Sequence, residues 1–75
     1  MDKYLQEIKN AKTKLDLQDT NYRAFYDNSI TGKQHDLLTD LCVWKENQQK
    51  GATQDQLNDC AKVLKIPKKY INLIK

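Results

Sequence analysis

The side chains of this sequence that could do chemistry are two thiols, one imidazole, and a scatter of amides and cations. Their spacing decides which to follow. Cys42, Cys60 and His35 form no Cys-x-x-Cys and no His-x-x-x-His pair, so a zinc site is not indicated. Both cysteines stand inside apolar helical patterns, where a thiol is inert, and the chain has one histidine and one serine to serve as base or nucleophile. No catalysis, metal or cofactor is expected. The remaining group is more suggestive. Lys33, Gln34, His35 and Thr39 sit at the front of one apolar-periodic stretch, and a lysine or glutamine in such a place meets guanine or adenine edges in a major groove. Arg23, Lys45 and Lys50 are of the types that hold phosphates. Asp36 and Asp40, on the same stretch, oppose a polyanion.

The elements that must position these residues read as helices throughout. There are two glycines and one proline, and no run of β-branched residues alternates with polar ones, so the 1–75 stretch reads as one small all-α domain of about five short helices. Asp2 caps a first helix whose Leu5, Ile8, Lys12 stem and Leu15 share a face, ending near Leu17. Asp19 or Thr20 opens a short second segment, NYRAFYDN, with Tyr22, Ala24 and Phe25 as its apolar members. TGKQ from Thr31 and TQDQ from Thr53 are capping boxes that start the third and fourth helices. The third carries Leu37, Leu38, Leu41 and Trp44 inwards and stops at Gly51; its Lys45 is then expected to face out beside Lys50. The fourth carries Leu57, Cys60, Ala61 and Leu64, and Ile66-Pro67 turns the chain into a last helix docked by Tyr70, Ile71 and Ile74. Leu37, Leu41, Trp44, Leu57, Ala61 and Leu64 are the expected core.

The net charge of +3 is small, but it is unevenly placed. Residues 1–37 balance, residues 38–61 are net acidic, and residues 62–75 hold five lysines and no acid. MDKYLQEIKN lacks the apolar run of a signal peptide, and the cysteines read as reduced core thiols, so a cytoplasmic protein without a membrane role is expected.

The segment from Thr20 to Thr31 (TNYRAFYDNSIT), then Val43-Trp44-Lys45, then Ala52 to Leu57 and the closing AKVLKIP, resembles the small helix-turn-helix proteins of the phage Cro and repressor type. In that pattern a Tyr-x-x-Ala helix and turn precede a recognition helix ending in tryptophan and a basic residue. A glycine loop and Ala-x-x-Leu-Gly-Ile-x-Pro follow. Thr31 lies farther from Trp44 than the pattern allows, which places an insertion, GKQHDL, before the tryptophan, and Asn28-Ser29 replaces the usual turn residues. The resemblance implies a repressor-like arrangement in a phage- or prophage-type transcriptional regulator. Such a protein is a homodimer on double-stranded operator DNA, with Arg23, Lys33, Gln34, His35, Thr39, Lys45 and Lys50 at the interface. The alternative is a helical protein-interaction module, an antirepressor or inhibitor, that has lost DNA readout.

Overall fold

In the computed structural model, which describes residues 1–75, the chain forms five helices and no strand: α1 Asp2–Asn10, α2 Lys14–Phe25, α3 Gly32–Gln49, α4 Gln54–Val63 and α5 Lys68–Ile74. Both capping boxes form. The Thr31 hydroxyl accepts from the Gln34 amide while Gln34 Oε1 accepts from Thr31 N, and Thr53 and Gln56 repeat the exchange at α4. A third box was not anticipated. Thr13 and Asp16 exchange the same pair of bonds at the head of α2, so α1 ends at Asn10 rather than near Leu17. The helix expected to start near Thr20 therefore starts at Lys14. Leu17 becomes the buried residue and Leu15 stands 74% exposed.

α3 is the spine, packing against each of the other four helices. One core gathers around it, made of Tyr4, Leu5 and Ile8 of α1, Leu17 and Ala24 of α2, Leu38, Leu41, Cys42 and Trp44 of α3, Leu57 of α4, and Ile66, Ile71 and Ile74. Leu41, Trp44 and Leu57 of the expected core are buried. Leu37, Ala61 and Leu64 are half-buried and packed against its edge. The Trp44 indole donates to the Leu57 carbonyl at 3.1 Å, tying α3 to α4 through the interior. The molecule measures only 16 Å across its shortest dimension, so its recesses are grooves between helices. No helix is long and apolar enough to cross a membrane.

α3 and α4 stop in the same way. After α3, Gly51 N–H bonds Gln48 O and Ala52 N–H bonds Asn47 O, with Gly51 at φ +89°. After α4, Lys65 N–H bonds Lys62 O and Ile66 N–H bonds Ala61 O, with Lys65 at φ +57°. Both are Schellman stops, and the second puts a lysine in the left-handed conformation that glycine adopts without cost.

The two thiols differ in environment. Cys42 is buried, points its thiol at the Leu17 carbonyl, and has its acidity suppressed by burial to a pKa of about 12, whereas Cys60 is half-buried at the edge of α4. Ellman's reagent should therefore titrate one thiol in the native protein, absent in Cys60→Ser, and the other only after denaturation. Two fast thiols would contradict this packing.

Candidate interaction face between the second and third helices

The residues expected at a DNA interface do not assemble into one cationic face. Lys45 is the clearest correction. It is 7% exposed, its stem lies along the core, and its ammonium donates to the Ile74 carbonyl at 2.8 Å, at the negative end of α5. Burial, with Lys9 nearby, lowers its pKa. Arg23 is exposed but engaged. Its guanidinium bonds Glu7 of α1 and Asp19 one turn earlier on α2, which holds the arginine firmly protonated and lowers the Glu7 pKa. Thr20 adds a hydroxyl to the same Glu7 carboxylate. The arginine is thus a strut between α1 and α2. Lys50 pairs with Glu46 at 3.0 Å, a carboxylate that Lys14 also approaches at 3.6 Å.

At the front of α3, Gln34 is occupied by its capping bond, and the Thr39 hydroxyl shares its proton between the His35 carbonyl and Asn21 Oδ1. Lys33 is exposed and makes no ion pair. Asp36 is exposed beside it, and Asp40 has its pKa raised by burial and by Asp36. Lys33 and Lys50 lie at opposite ends of α3, about 25 Å apart at the helical rise.

What the corner between α2 and α3 does bring together is aromatic. Tyr22, Phe25 and Tyr26 are 64%, 63% and 64% exposed. Their rings nevertheless pack on one another, Tyr22 against Tyr26 at 4.9 Å and Phe25 edge-on to Tyr26 at 5.0 Å between centroids. His35 extends the row across to α3, edge-on to Phe25 at 5.2 Å, with its Nε2 shielded and without a hydrogen-bond partner. Helical spacing of Tyr22, Phe25 and Tyr26 puts all three on one side of the last turn of α2. Of the apolar members of NYRAFYDN, Tyr22, Ala24 and Phe25, only Ala24 is buried, because Leu17, Thr20 and Ala24 form the inward face of α2.

The backbone under this face is fixed. Asp27, just past α2, accepts from the Ser29 amide at 2.9 Å and the Ser29 hydroxyl at 2.6 Å, and from the Tyr4 phenol of α1. Those bonds, Ser29 first and Tyr4 second, lower its pKa to about 2. A carboxylate held lower in the folded state stabilises the fold above the unfolded value near about 4, and that contribution vanishes as pH falls through the folded value. Glu7, lowered by Arg23, acts in the same direction. Thermal melts should therefore lose temperature between about pH 4.5 and 2. Asp27→Asn should melt lower at pH 5 and fall less on acidification; an unchanged acid limb in that variant would refute the role given to Asp27.

Comparison with known proteins finds no family model, no curated protein and no solved structure that matches this chain.

Proposed function

We propose that the chain is a helical protein-interaction module whose contact face is the aromatic corner of α2 and α3, acting on its partner as an inhibitor or antirepressor would. The observation that carries this reading is the exposed, mutually packed cluster of Tyr22, Phe25 and Tyr26. Exposed apolar clusters of this kind mark association sites, and aromatic residues dominate the binding energy of protein interfaces. The bonds of Asp27 to Ser29 and Tyr4 hold the face in place beforehand, which reduces the ordering cost of binding.

In this proposal the α2–α3 pair is a repressor-like helix-turn-helix in which the inserted GKQHDL lengthens the front of α3, and which has exchanged DNA readout for a protein contact. Electrostatics favour the exchange, since Arg23 and Lys45 are engaged internally and Asp36 and Asp40 follow Lys33 along α3. The competing reading, a dimeric regulator on operator DNA, keeps Lys33 and the lysine-rich stretch 62–75 in its favour. Anisotropy titration against random and host-operator duplexes at two salt concentrations separates them. The interaction module gives no salt-sensitive affinity. An affinity that falls with salt at about 0.9 log units per phosphate contact, and that weakens in Lys33→Ala, would restore the regulator.

A further inference from the structure

Away from the aromatic corner, α4 and α5 both pack on α3 but touch one another less than either touches α3, and they leave a groove of about 380 Å³ between them. Its floor is apolar, formed in part by Ile66 and Ile71. Lys62 of α4 and Lys68 and Lys75 at the two ends of α5 stand around it, all exposed and none in an ion pair. The side-chain amides of Asn58 and Asn72 complete the walls, and no acidic side chain lines it. Elsewhere in the molecule several cations are matched, Arg23 by Glu7 and Asp19, and Lys14 and Lys50 by Glu46. The walls are set by the Schellman turn at Leu64–Ile66, where Lys65 holds a left-handed backbone that fixes the exit of α4 towards α5.

We infer that the α4–α5 groove is a second binding site, and that its occupant is an acidic peptide segment of a partner protein. An apolar side chain of that segment lies on Ile66 and Ile71, while carboxylates on either side meet Lys62, Lys68 and Lys75. The asparagine amides can serve the peptide backbone, as polar groups at the rim of an otherwise apolar cleft commonly do. Charge complementarity selects the sign of the occupant, and the apolar floor selects a peptide over a polynucleotide. Asp55 and Asp59, exposed on α4, work against a duplex laid along that helix.

The site is independent of the aromatic corner, so the two are tested separately. The probe is a short synthetic peptide with a central leucine flanked by glutamates, titrated into the ¹⁵N-labelled protein. A glutamine-for-glutamate control peptide and a duplex of equal charge serve as comparisons. The expected result is saturable binding of the acidic peptide alone, with shifts centred on the Asn58 and Asn72 side-chain amides and weakened at least tenfold in Lys62→Ala, Lys68→Ala. Both lysines are exposed, so circular dichroism of that variant should match wild type. Phe25→Ala, Tyr26→Ala should bind the peptide unchanged, which keeps failure of the groove distinct from failure of the aromatic face. Three results overturn the proposal: unsaturable shifts spread over all lysines, equal binding of the neutral peptide, or tighter binding of the duplex at the same lysines.

Discussion

Replacing Trp44 with alanine should leave the chain unfolded or molten at room temperature. The indole is 2% exposed at the junction of α3 and α4, and its N–H holds the Leu57 carbonyl. Truncating a buried tryptophan costs about 3–5 kcal/mol through lost transfer energy and the cavity left behind. A 75-residue domain, at the small end of folding units, has a total stability on the order of 5 kcal/mol, so little remains. Near-ultraviolet circular dichroism should be flat and the thermal transition broad or absent. Trp44→Phe fills most of the space but cannot donate to Leu57, and should lose only about 1–2 kcal/mol. A Trp44→Ala protein that melts like wild type would mean that the tryptophan does not hold α4.

The second large effect is expected where the sequence suggested a surface lysine. Lys45→Glu should destabilise by about 3 kcal/mol, because it removes the donor to the Ile74 carbonyl and sets an anion against the negative end of α5 in a buried position. Lys9, near enough to lower the pKa of Lys45, recovers part of that cost at most, since it is itself exposed. Lys45→Met keeps the apolar stem and loses only the bond to Ile74, and should cost about 1 kcal/mol. Urea melts of the three proteins read this directly. Equal stability of Lys45→Glu and wild type would show the side chain to be free in solution, and would return it to the set of candidate phosphate contacts.

Lys45 also shows what the residue pattern could and could not reveal. It stands three and four positions after Cys42 and Leu41 and seven after Leu38, on the stripe that is buried. Its spacing from Leu38, Leu41 and Cys42 places it inwards, whereas the outward expectation rested on its neighbour Trp44 facing in; both turn out to be buried. What resolves the conflict is the end of α5, 29 residues away in sequence, whose position no local pattern gives. The starts of α3 and α4 were legible because a capping box is a local device, complete within four residues. The same device in TKLD, with Asp16 in the role of glutamine, lay equally in view. It was hidden by Leu15, which continued the apolar spacing of α1 and drew the helix through the break. At the corner of α2 and α3 the failure was of another kind. Tyr22 and Phe25 share one helical face, and Leu17, Thr20 and Ala24, three and four positions apart, share another, so spacing alone does not choose between them. The second lies inside, where Thr20 and Ala24 are small enough to let α2 lie against its neighbours. An aromatic row left outside by such packing is visible only once the helix has been docked.

The most direct test of that row replaces Phe25 with a photoreactive benzophenone amino acid in cells and follows the adduct. Leu15, 74% exposed at the start of α2, carries the same group as a control for mere exposure. The interaction module predicts a discrete protein adduct from position 25, absent from position 15 and abolished by Tyr22→Ala, Tyr26→Ala in a chain that still folds. Adducts equal at the two positions, or crosslinking from position 25 to nucleic acid, would contradict it.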